Sequence, residues 1–353
     1  MSRRQRVERA AMGSDPYKTA IIKSMREFSH SHDPYSVFSD FVEICALAIS
    51  NRVDSTQFEP REKRYLEIVG KYKPEEVQRF AAMFAQLQLC YRSRVDAIGD
   101  PGGTWVPDSG LGDVLGELFM ALELGNDRAG QFFTPFSVSL LMAMMTVGDG
   151  ADVREKGFVT LQEPACGSAG MVVATAQAMH QAGLNYPETL HATCVDIDPR
   201  CVHMAYVQLS LLGIPAVVVH GNALSLEVWG VWYTPAHVLV GWNRKLRRCR
   251  EAETDAALRR RQQDEAQTPR PVMPDLPISS APQPTLAACL EHPEVVCEED
   301  DGDVAVAVRS EGGLHAAGTC ESVVDLFDQL TENARAVQRE TTIFDRIGQM
   351  TLF

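Results

Sequence analysis

Apolar residues fall into two textures along this chain. Up to about residue 130 they recur three and four positions apart, as in Phe38, Phe41, Val42, Cys45, Leu47 and Ala48, and again in Val77, Phe80, Met83, Phe84 and Leu87. Residues so spaced share one side of a helix, which predicts a helical first third. The starts are marked as well. Asp33-Pro34 and Pro74-Glu75-Glu76 put proline at the first helical position, where its missing N–H costs nothing. A third helix is predicted over Leu111–Leu124, with Val114, Leu115, Leu118, Phe119 and Leu122 on its stripe and Gly125-Asn126 as its stop.

From Phe132 the texture changes. Short β-rich runs, Phe158–Gln162, His191–Asp196, Ala216–His220 and Ala236–Trp242, alternate with helical segments at Pro135–Met145, Ser168–Ala182 and Pro199–Leu212. Such alternation implies βαβ units and a parallel sheet, so the predicted class is α/β, a Rossmann-like core behind a helical N-terminal domain. Beyond Arg244 the pattern dissolves. Gln262–Pro284 is rich in Pro, Gln and Ser and reads as a linker, followed by a short strand at Val304–Val308 and a helix at Ser322–Leu330. The expected organisation is therefore a helical domain over 1–129, a core over 130–245, a basic and Pro-rich, partly disordered segment over 246–321, and a C-terminal helix and tail over 322–353.

Composition narrows the class. With 353 residues, 45% of them hydrophobic, the chain can bury one sizeable core plus a smaller module. The apolar run Leu209–His220 falls well short of the roughly 20 residues that cross a bilayer, and the N-terminus has charge without an apolar stretch, so a cytoplasmic protein with no membrane contact is expected. Nine cysteines show no C-x-x-C spacing, which leaves reduced structural thiols as the reading. A net charge of −14 argues against nonspecific coating of DNA. Locally the balance reverses, since Arg244–Arg261 holds eight basic residues against Glu251, Glu253 and Asp255. A run of this kind is either a solvated face or a DNA contact.

Candidate chemistry sits at the strand ends. Phe158–Gln162 leads into Glu163-Pro164-Ala165-Cys166-Gly167-Ser168-Ala169-Gly170, a glycine-containing turn at a helix start, where the backbone approaches a nucleotide and free amides face it. The next strand ends in Cys194-Val195-Asp196-Ile197-Asp198-Pro199, placing Asp196 where a carboxylate accepts ribose hydroxyls, while Asp198 caps the following helix.

With these pieces in order, the chain resembles the adenine-specific DNA methyltransferases of the type I restriction-modification class. Gly130-Gln131-Phe132-Phe133-Thr134-Pro135 looks like the family motif before the first strand. Glu163–Gly170 looks like its E-P-A-C-G-S-G turn, with Ala169 where glycine is usual. Asp196 matches the ribose-binding acid, and His220-Gly221-Asn222-Ala223-Leu224 looks like the motif beside the adenine ring. The resemblance implies S-adenosylmethionine as cofactor, held by Gln131, Phe132, Phe133, Thr134, Glu163, Ala165, Gly167, Ser168, Asp196, Ile197, Asn222 and Ala223. DNA and a specificity subunit are the implied partners. Plainer roles exist for some of these residues: Thr134-Pro135 also suits a helix start, and Asn222 suits a turn.

One motif departs from the family. Asn/Asp-Pro-Pro-Tyr/Phe, which orients the target amine and stacks the flipped base, is expected after the fourth strand, where this chain reads Trp242-Asn243-Arg244-Lys245. Asn243 as acceptor and Trp242 as stacking ring are the catalytic candidates. Two functions stay open: a DNA adenine-N6 methyltransferase, or a catalytically silent relative that binds cofactor or DNA as a regulator or adaptor. Finally, Gln349-Met350-Thr351-Leu352-Phe353 resembles the peptide by which bacterial proteins dock on the DNA sliding clamp, with Gln349, Met350, Leu352 and Phe353 as the contacting residues.

Overall fold

A computed structural model describes residues 15–28, 31–103, 110–124 and 133–267. Among the described residues, four N-terminal helices come first: α1 (Pro16–Phe28), α2 (Pro34–Ser50), α3 (Phe58–Val69) and α4 (Pro74–Ile98). The predicted starts of two of them are present. Asp33 caps α2 by accepting from the Ser36 amide at 2.9 Å, and Pro74 opens α4. The third predicted helix is shorter than its stripe, α5 (Val114–Ala121), because Asp113 caps it and fixes its start.

The α/β segment follows as α6 (Phe136–Val147), α7 (Ala151–Lys156), β1 (Val159–Glu163), α8 (Gly170–Gln181), α9 (Tyr186–Thr189), β2 (Leu190–Asp196), α10 (Pro199–Leu211), β3 (Ala216–Asn222), β4 (Glu227–Tyr233), α11 (Pro235–Leu239) and α12 (Trp242–Gln267). The sheet runs in the order β1-β2-β3-β4, with β1, β2 and β3 parallel. Two successive crossovers of one hand place α8 and α10 on the same face. That face shares a single core with the N-terminal helices, from Phe28 and Phe41 through Leu118 and Val172 to Ala192, Val218 and Trp232. The opposite face buries a small separate cluster, Val195, Val217, Val219 and Val231.

Two predicted elements differ. The run Ala236–Trp242 is not a strand; its first part is the short helix α11. The fourth strand is Glu227–Tyr233, and it pairs antiparallel with β3, Val217 opposite Tyr233. A short apolar run fits a strand and a buried helix equally, and Pro235 as a first-turn residue tips it to helix. The segment after Arg244 is likewise helical to Gln267, since its Ala, Glu, Arg, Gln and Leu residues favour helix and the first proline is Pro269.

The described residues up to Cys249 lie in one compact unit. Those from Arg250 to Gln267 belong to a second, are helical, and expose most of their described side chains. No described helix is long and apolar enough to cross a membrane. Five described cysteines are buried and Cys249 is half-buried, all free thiols.

Candidate cofactor site

The carboxyl ends of β1, β2 and β3 meet in one crevice, and most of the predicted cofactor residues lie there. The turn after β1 is pinned to the next strand because the Cys166 amide donates to the Val195 carbonyl at 2.9 Å. Asp196 then closes the crevice. Its Oδ2 accepts from the Gly167 amide at 2.8 Å and its Oδ1 from the Asp198 amide at 2.9 Å. Burial pushes the Asp196 carboxyl up from its ordinary value against the pull of these amides. Glu163, half-buried beside it, is also pushed up, first by burial and then by the charge of Asp196.

Gly167 has φ of +54°, and a Cβ built there would stand 2.9 Å from the Phe133 ring. Its glycine therefore makes room for Phe133, one of the predicted cofactor residues, which also packs on Phe119 with centroids 5.3 Å apart. Ala169, where the family pattern has glycine, is buried at φ +71° and ψ +26°. Left-handed backbone costs a residue with a Cβ about 1–2 kcal/mol. Ala165 is exposed on the turn, and Ile197 is 60% exposed immediately after Asp196.

Some predicted residues have other employment. Ser168 is buried and its hydroxyl donates to Asp113 Oδ2 at 2.6 Å, so the side chain points into the core and not into the crevice. Asn222 Oδ1 accepts from the amides of Leu224 and Ser225, the turn role open to it from the sequence. Ala223 packs against the second-face cluster. Thr134 is exposed and is not the cap of α6, a position held by Pro135. Gln131 and Phe132 lie outside the described residues, as do Gln349, Met350, Leu352 and Phe353 with the whole predicted linker beyond Gln267, the Val304–Val308 strand and the C-terminal helix.

The catalytic candidates stand at the wrong end of the sheet. Because β4 runs antiparallel, it returns the chain to the amino ends of the parallel strands, and α11 and the start of α12 are built there. Trp242 is fully buried and its indole N–H donates to the Pro187 carbonyl at 3.2 Å, so no base can stack on it. Asn243 Oδ1 accepts from His237 Nε2 at 3.0 Å, and His237 Nδ1 lies 2.8 Å from His191 Nε2 at the start of β2. Along β2 the five steps from His191 to Asp196, at about 3.3 Å each, separate the two ends by about 16 Å. Neither residue can serve a reaction at the Asp196 crevice.

A buried polar network that no local motif announces supports the turn from beneath. Asp113 is 3% exposed and accepts from Ser168 Oγ, from Gln208 Nε2 at 3.0 Å and from the Gly116 amide at 3.0 Å. Gln208 also donates to the Ser168 carbonyl at 2.9 Å, and its Oε1 accepts from the Leu115 amide and the Tyr91 hydroxyl. Burial pushes the Asp113 carboxyl up despite these donors. Gly170 leaves space for it, since a Cβ there would meet Asp113 Oδ2 at 2.8 Å. The partners lie 55 and 95 residues apart in sequence.

Residues 111–245, from this network through the crevice to the start of α12, match the N-6 DNA Methylase family. The matched segment includes α5 and the Asp113 network. The type I restriction-modification methyltransferase subunit from Streptococcus thermophilus shares 16% identity with this chain, with a TM-score of 0.30, over 60% of this chain and 58% of that one. No curated protein matches the sequence.

Proposed function

We propose that this chain binds S-adenosylmethionine at the carboxyl ends of β1, β2 and β3 and acts on DNA as a methylase-derived regulator or adaptor. The observation that carries the reading is the Asp196 carboxylate, held in the crevice by two amides that leave lone pairs free to accept ribose hydroxyls. Glu163 adds a second acceptor at the crevice, Phe133 an aromatic wall and Ile197 an exposed apolar platform suited to a flat ring. These groups fit an adenosine carrying a cationic methionine part.

The cofactor, when bound, supplies an electrophilic methyl group. Direct transfer to an adenine amine needs an aligned acceptor, and a misplacement of about 1 Å costs roughly a hundredfold in rate. Asn243 is far beyond that tolerance. This favours the adaptor reading over a self-contained DNA adenine-N6 methyltransferase.

Calorimetry with S-adenosylmethionine, paired with labelled methyl transfer to DNA, tests both halves. Binding that Asp196→Ala abolishes, without methyl incorporation, is the expected result. Incorporation into adenine overturns the adaptor reading, and absent cofactor binding overturns the whole proposal. The partners proposed with it are a specificity subunit and, through Gln349–Phe353, the bacterial sliding clamp. Deleting those five residues is expected to abolish co-elution with the clamp, and unchanged co-elution refutes that partner.

A further inference from the structure

At the amino ends of the parallel strands, opposite the Asp196 crevice, lies a second concavity of about 860 Å³. Its walls include Phe158, Val240, Asn243, Arg244, Lys245 and Arg248, and none of the described residues that line it is acidic. In a chain of net charge −14, Arg61, Arg64, Arg79, Arg92, Arg94 and Arg200 each pair with a carboxylate. Arg244 and Arg248, one helical turn apart on α12 and both exposed, make no ion pair with any described residue.

The floor beneath them is rigid. Lys245 Nζ donates to the Glu188 carbonyl at 2.7 Å and lies 4.2 Å from the Trp242 ring centre and 4.6 Å from that of Phe158. The His191–His237 chain occupies Asn243 Oδ1, which leaves the amide nitrogen of Asn243 as a donor at the wall. Gly241, at φ +76°, turns the chain so that α12 begins here, with the positive end of its dipole at the pocket. Val240 and Leu239 add exposed apolar surface at the rim.

We propose that this pocket binds the phosphate backbone of DNA, with Arg244 and Arg248 on phosphate oxygens, Asn243 as a neutral donor, and Val240 and Phe158 against the sugar. The proposal rests on the reading that the chain works on DNA and deepens it. Backbone contacts fix register and orientation without reading sequence. Local pairing with phosphates is also how a strongly acidic chain gains affinity for DNA, at the cost of steep salt dependence.

The experiment is a salt titration of binding to a short fluorescent duplex, read by anisotropy, for the full chain, Arg244→Ala/Arg248→Ala and the exposed-site control Arg92→Ala. Each phosphate contact contributes a slope of about −0.9 in log K against log salt, so the double variant is expected to lose about 2 from the slope and at least tenfold in affinity. Its thermal midpoint and its calorimetric binding of S-adenosylmethionine are expected to match those of the parent, and the control to bind like the parent. An unchanged slope in the double variant overturns the pocket assignment and leaves the DNA reading standing. A parent chain that binds cofactor but no duplex at low salt overturns both the pocket and the DNA half of the proposed function.

Discussion

Gly167 shows how one residue carries both fold and site. With φ at +54° and Phe133 in the space a Cβ would need, Gly167→Ala is expected to cost at least the ~1–2 kcal/mol of left-handed strain. Calorimetric unfolding is expected to show a lowered midpoint, and an unchanged one would remove the close approach of Phe133 from the account. A second residue-scale expectation concerns pH. Burial holds the His203 ring down at about 4, against the pull of Glu43, whereas the unfolded ring titrates near 6.5. Between these values the unfolded state binds the extra proton, so stability is full above about pH 6.5 and falls as pH drops toward about 4. His203→Gln is expected to flatten that part of the unfolding free energy against pH, and an identical profile in parent and variant would contradict the buried neutral ring. Asp196 was legible from its place after a strand. Ser168 was misread because its partner, Asp113, lies 55 residues away, and no local pattern reports which way a hydroxyl turns.

Among the elements, β4 decides most. Its Trp232 is nearly buried between the Arg61 guanidinium, 4.1 Å from the ring centre, and the His203 and Tyr206 rings at 5.1 and 5.2 Å. Arg61 also donates to the Val231 carbonyl at 2.7 Å and to Asp54 at 3.0 Å, which ties α3 to the sheet. Trp232→Ala is expected to destabilise by about 3–5 kcal/mol, as loss of a large buried ring does. Urea unfolding checks it, and a change under about 1 kcal/mol would mean that this junction carries little packing. Helix periodicity revealed α2 and α4 because their stripes run over several turns. The strand Glu227–Tyr233 escaped notice because both of its faces carry apolar residues and Gly230 interrupts it.

For the whole molecule, the N-terminal helices and the sheet share one core, with α2 packed on α10 and Tyr91 bonded to Gln208. Residues 133–249 expressed alone are therefore expected to keep helical circular dichroism but bind a hydrophobic dye and give broad NMR signals. A sharp, cooperative spectrum from that fragment would show that the helices are dispensable. By itself the sequence determined the helical first third, three parallel strands with their crossovers, the Glu163–Gly170 turn and the place of Asp196 at the end of β2, because hydrophobic period, caps and glycines act over a few residues. Only the tertiary structure decided that the fourth strand turns back antiparallel, that Asn243 lies at the far end of the sheet, and that Asp113, Ser168 and Gln208 meet. Strand direction and long-range pairing are set by which surfaces bury one another, and that choice is made across the whole chain.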